Sequence, residues 1–99
     1  MLVRVLRNER GVPSHKLADV ELVFDEGPLE GLKLVGTAIW ETREPSGDVS
    51  ITFPARSFQG EGGVRYFNFI RPQGMDKAPL DRLKDLIREE FRRGQGMAA

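Results

Sequence analysis

Leu17-Ala18-Asp19-Val20-Glu21-Leu22-Val23-Phe24 alternates between two kinds of residue. Ala18, Val20, Leu22 and Phe24 fall on one face of an extended chain, and Asp19, Glu21 and Val23 on the other. That period of two predicts a strand with one buried face. Asp25-Glu26-Gly27-Pro28 follows as a turn. Leu29 to Glu41 then reads as a long strand, with Leu32, Leu34, Ala38 and Trp40 facing one way and Gly36 marking a bulge or a close approach. Upstream, Leu2 to Leu6 alternates apolar residues with arginine and reads as a short strand at a sheet edge. Asn8 to Ser14, with Gly11 and Pro13, reads as a loop.

Downstream, Pro45-Ser46-Gly47-Asp48 reads as a hairpin turn. Val49, Ile51 and Phe53 form the next alternation, ended by Pro54. Gln59 to Gly63 makes another turn, and Val64 to Ile70 is the last strand. The one predicted helix has Pro79 in its first turn and Leu80, Leu83, Leu86, Ile87 and Phe91 along one apolar stripe. Gly94 is its expected stop, with 94–99 a flexible tail. The expected architecture is α+β: a twisted antiparallel β-sheet of about five strands with one C-terminal α-helix packed on it, in a single domain over 1–93.

The chain has 99 residues, enough for one modest core that a second copy would help complete. It has no cysteine, which excludes disulfides, thiolate nucleophiles and cysteine zinc sites. Its start lacks the apolar run of a signal peptide, and no stretch approaches a membrane-spanning length, so a cytoplasmic protein is expected. The formal net charge is zero but unevenly spread. Residues 17–48 hold two basic and eight acidic residues, a balance of −6, and the rest of the chain carries the offsetting positive charge. Gathered on one face, that basic remainder would attract a polyanion; scattered, it would only solvate the surface.

No catalytic site is legible. His15 is the single histidine and sits in a polar loop, whereas zinc needs three or four clustered ligands. The carboxylate pairs Asp25/Glu26 and Glu89/Glu90 lie on a turn and a helix face, with no apolar pocket to shift their pKa. Ser46, Ser50 and Ser57 lack a partner base. Gly60, Gly62 and Gly63 are not followed by the lysine and helix of a phosphate loop. No cofactor, metal or small-molecule substrate is therefore expected, and no enzymatic activity.

Arg65-Tyr66-Phe67-Asn68-Phe69-Ile70-Arg71 loosely echoes the aromatic strand of RNA-binding sheets. In that reading Phe67 and Phe69 stack on bases while Arg65 and Arg71, on the same face, hold phosphates; the structural alternative makes both rings core or subunit-interface residues. Phe53-Pro54-Ala55-Arg56 ends a strand and presents an arginine on a stiff corner.

The order of these pieces, from about Val3 to Arg93, resembles the SpoVG family, the septation and stage V sporulation protein G type. The resemblance is carried by the first strands (Leu2 to Phe24) and by Gly31-Leu32-Lys33-Leu34-Val35-Gly36. It continues with the apolar strand ending Phe53-Pro54-Ala55-Arg56, the strand ending Ile70-Arg71-Pro72, and the helix with Phe91 followed by Arg92. It implies a homodimer in a bacterial cytoplasm that binds DNA or RNA as a regulator rather than an enzyme. By position it makes Arg56 a basic contact and Arg88, Arg92 and Arg93 candidate phosphate contacts. The chain departs from the pattern in its acidic Glu41-Thr42-Arg43-Glu44 segment and in the apolar Phe67 and Phe69. The candidate nucleic-acid contacts are thus Arg56, Arg65, Arg71, Arg88, Arg92 and Arg93. The alternative is a protein-interaction module of the same fold, using Phe67, Phe69 or Trp40.

Overall fold

The computed structural model describes residues 1–43 and 47–98. Among the described residues six strands precede one helix: β1 (Leu2–Arg7), β2 (Lys16–Val23), β3 (Lys33–Trp40), β4 (Ser50–Thr52), β5 (Ala55–Gly60), β6 (Gly63–Asn68) and α1 (Ala78–Ala98). All strand pairings are antiparallel. The expected α+β class stands, with the strands divided between a four-stranded sheet, β1-β2-β3-β4, and a separate β5-β6 hairpin. Of the hairpin turn expected at 45–48, Pro45 and Ser46 lie outside the described residues.

One face of the four-stranded sheet carries the core. Val3 and Val5 of β1 stand opposite Leu22 and Val20 of β2, and Ala18 stands opposite Ile39 of β3, which pairs in turn with Ile51 of β4. Ile87 and Phe91 of α1 join this cluster, fully or almost fully buried, with Leu80 and Leu83 packed at its margin. Removing each of the two large helix side chains from water stabilises the fold by about 1.5–3 kcal/mol. Leu86, expected on the same stripe, is 45% exposed and lies outside it. Asp76 starts the helix: its carboxylate accepts the Ala78 N–H at 3.0 Å, leaving Pro79 in the first turn.

The long strand expected over Leu29–Glu41 begins instead at Lys33, because Phe24 and Leu32 close a loop. The Phe24 N–H donates to the Leu32 carbonyl at 2.9 Å and the Gly31 N–H to the Phe24 carbonyl at 3.0 Å. Within β3 the pairing jumps from Leu22↔Leu34 to Val20↔Thr37, two residues of β2 against three of β3. Gly36 absorbs the extra residue at φ +103°, a conformation that side-chain-bearing residues rarely take. The bulge reverses the phase of the strand. Leu34 faces the core before it and Thr37 and Ile39 after it, so Trp40 does not share a face with Leu34. Trp40 lies half-buried on the opposite face, where its indole N–H donates to Thr52 Oγ1 at 2.8 Å.

The helix also continues past Gly94, to Ala98. Gly94 lacks the positive φ of a terminating glycine. Its missing side chain leaves space for Arg7, whose guanidinium nitrogen would stand 3.1 Å from a Cβ placed there. Arg7 donates to the Phe91 carbonyl at 2.9 Å and lies 4.3 Å from the centre of the Phe91 ring, fastening edge strand β1 to α1.

Candidate nucleic-acid interface

Pro54 lacks the N–H that would extend the β4 ladder, and the chain turns there out of the four-stranded sheet. It pairs only with its own return: the Phe69 N–H donates to the Pro54 carbonyl at 2.9 Å, and β5 and β6 then run together to a Glu61-Gly62 turn. No residue of Ala55–Gln59 or Gly63–Asn68 is buried. The hairpin is therefore an arm. The radius of gyration, 15.0 Å, reflects it, since a compact chain of about 100 residues has one of about 13 Å.

Directly opposed residues of an antiparallel pair share a face. Arg56 opposes Phe67, and Phe58 opposes Arg65. One face of the arm thus carries two successive rungs, each with one ring and one guanidinium, in swapped order. The Phe58 and Phe67 rings stack diagonally across the strands, with centres 5.1 Å apart and planes at 15°. They remain 39% and 49% exposed. Arg71, just past β6, brings its guanidinium to 5.9 Å from the Phe67 ring centre, within cation–π range. Arg56, Arg65 and Arg71 meet no carboxylate within 4.0 Å among the described residues. The only acidic residue between Val49 and Met75 is Glu61, in the turn. The other face of the arm carries Ser57 opposite Tyr66 and Gln59 opposite Val64, with Tyr66 and Val64 largely exposed.

Three of the six arginines expected at the site come together here, and Phe58 joins them. Sequence reasoning misses Phe58 because Ala55 to Gly60 carries neither the alternation nor the β-branched residues of a strand. Phe69, expected to share the stacking face, lies beyond the end of β6 and is 66% exposed. Arg71 also borders an apolar groove of about 290 Å³ between Ile70-Arg71-Pro72 and the start of α1.

The helix arginines are differently placed. Arg92 donates to Asp48 at 3.0 Å. Arg88 reaches Asp85 at 3.3 Å, Asp48 at 3.8 Å and the Val49 carbonyl at 3.3 Å. Arg93 pairs with Glu90 at 3.2 Å and Glu89 at 3.5 Å. The Val49 N–H, then Arg92 and Arg88, hold the Asp48 carboxyl below its ordinary pKa. The positive charge of these three side chains is already met by carboxylates of the fold.

The remaining candidates stay apart. Among the described residues the one ionic partner of His15 is Glu41, at 3.5 Å. Glu89 and Glu90 are taken up by Arg93, Ser50 lies in β4, and Ser57 lies on the far face of the arm. Ser46 lies outside the described residues. Gly60, Gly62 and Gly63 form the closed end of the arm. Among the described residues no group of three or more histidine, cysteine, aspartate or glutamate side chains is placed to hold a metal ion. No helix among them is long and apolar enough to cross a membrane.

No family model, no curated protein and no solved structure matches the chain. The likeness to SpoVG therefore rests on the motifs quoted from the sequence alone.

Proposed function

We propose that this protein is a small, non-enzymatic, cytoplasmic regulator that binds DNA or RNA as a homodimer, in the manner the SpoVG resemblance implies. The observation that carries this reading is the front of the arm. Arg56, Arg65 and Arg71 surround exposed stacked rings and meet no carboxylate within 4.0 Å among the described residues. Guanidinium groups that meet no carboxylate within 4.0 Å among the described residues fit phosphate oxygens, for which a planar fork of donors is well shaped. Arg88, Arg92 and Arg93 play a lesser part, because a phosphate would have to displace Asp48, Asp85, Glu89 or Glu90 from them.

The dimer draws support from the same arm. A two-stranded hairpin alone is at best marginally stable in water. The exposed Tyr66 and Val64 on its far face supply an apolar surface that a second copy would cover. The test is fluorescence anisotropy with labelled oligonucleotides at low salt, alongside sedimentation equilibrium. Micromolar binding abolished by the combined change R56A/R65A/R71A supports the reading. Absence of binding at low salt overturns it in favour of the second reading, a protein-interaction module, for which the exposed aromatic residues of the arm speak.

A further inference from the structure

We infer that the front of the β5–β6 arm takes single-stranded rather than duplex nucleic acid, an inference that rests on the nucleic-acid reading above. The argument is geometric. A phenylalanine ring binds a base through its face, and the base faces of a duplex are covered by their neighbours, whereas those of an unpaired strand are free. The Phe58 and Phe67 rings are offered on a sheet face rather than in a pocket. No helix projects beside them to enter a major groove, since α1 is packed on the sheet through Ile87 and Phe91.

The spacing points the same way. The rungs Arg56/Phe67 and Phe58/Arg65 are two residues apart along each strand. The two rings lie against each other, centres 5.1 Å apart and planes at 15°, so a base can lie only on the outer face of each, and two bases flanking the pair stand much farther apart than the roughly 3.4 Å rise per nucleotide within a stacked duplex strand. Bases seated on successive rungs would have to be pulled apart from one another, which only an opened strand allows. Each rung also pairs one ring with one cation, matching a polymer in which every base brings one phosphate. Arg71, beside Phe67 and on the lip of the apolar groove next to α1, extends the cationic path beyond the second rung. The chemistry is shared by DNA and RNA, since it uses base faces and phosphates and neither the 2′-hydroxyl nor its absence.

The experiment compares one labelled sequence of about twenty nucleotides as a deoxyribo strand, a ribo strand and an annealed DNA duplex, by anisotropy at low salt with the full chain. The expected result is that at least one single strand binds tenfold or more tightly than the duplex. Phe67→Leu and Phe58→Leu, both at exposed positions, should each weaken single-strand binding by roughly 5- to 150-fold and leave duplex binding unchanged. Circular dichroism identical to wild type would verify that both variants fold. Duplex binding within tenfold of the tighter of the two strands, or variants that bind that strand like wild type, would overturn the inference while leaving nucleic-acid binding itself standing. Failure of all three probes to bind at low salt would overturn both.

Discussion

Arg65→Ala should flatten the salt dependence of nucleic-acid binding, and the size of the change follows from which arginines lack an internal partner. Each phosphate neutralised on a single strand contributes about 0.7 to the slope of log affinity against log salt. If only Arg56, Arg65 and Arg71 engage phosphate, raising salt from about 50 to about 200 mM weakens wild-type binding about 20-fold. With Arg65 removed, two contacts remain and the same step costs about 7-fold. If Arg88, Arg92 and Arg93 engaged phosphate as well, the wild-type loss would be about 300-fold. The three cases are separable by anisotropy titration at the two salt concentrations. Arg93→Ala is the control, because its guanidinium is met by Glu89 and Glu90 on an exposed helix face. It should leave the 20-fold loss unchanged. A wild-type loss in the hundreds, or Arg93→Ala flattening the slope as much as Arg65→Ala does, would refute the reasoning that carboxylate pairing removes the helix arginines from the interface.

Thr37 is fully buried and its hydroxyl has no hydrogen-bond partner among the described residues. Thr37→Val, of nearly the same shape, should therefore raise the unfolding free energy by about 1–3 kcal/mol in urea titration, against the usual direction of core substitutions. Gly36→Ala places a Cβ 3.0 Å from the Pro54 Cβ at a φ of +103° and should cost about 1–3 kcal/mol in the same assay. Arg7→Ala removes the donor to the Phe91 carbonyl and the cation over its ring and should cost about 1–2 kcal/mol, whereas Arg4→Ala, an exposed ion-pair partner of Glu21, should cost less than about 1 kcal/mol. Lys33, bonded to Glu21 at 2.8 Å, holds that carboxyl below its ordinary value of 4.5, and Asp48 lies below its ordinary 3.8. Lowered folded-state values mean that the unfolded chain binds protons first. The melting temperature should hold from neutrality down to about 4.5 and fall as pH drops through the two carboxyl ranges, and Glu21→Gln should shrink that fall.

The alternation of Ala18, Val20 and Leu22 was enough to place β2 at the centre of the core, because a buried face imposes its period directly on the sequence. The stripe Leu80, Leu83, Ile87 and Phe91 placed the helix for the same reason. The phase of β3 was harder to read. Gly36 announced a bulge, but which side chains it moved across the sheet depended on the partner strand, and only the pairing of Val20 with Thr37 shows that the parity flips. The arm was half legible. Val64 to Asn68 has strand composition, whereas Ala55 to Gly60 has neither alternation nor β-branched residues and owes its extended form to its partner. With β5 unread, Phe58 had no assigned face and its stack on Phe67 could not be foreseen. Arginine positions were visible throughout, and the helix spacing of three and four residues pairs Asp85 with Arg88 and Glu89 with Arg93 as found, but Arg92, which the same spacing gives to Glu89, meets Asp48 across 44 positions of sequence, a contact that no local spacing reveals.

The corner where Gly36 meets Pro54 has a consequence for how such a chain diversifies. The side chains of the arm lend nothing to the buried core, so a lineage can rewrite them and change what the molecule grips without disturbing whether it folds. The direction in which the arm points is not so free. It is fixed where the strand leaves the sheet, by a backbone that accepts a Cβ only under strain and a ring packed against it. Preference and aim are thus inherited through different residues, one set permissive and the other confined to two positions.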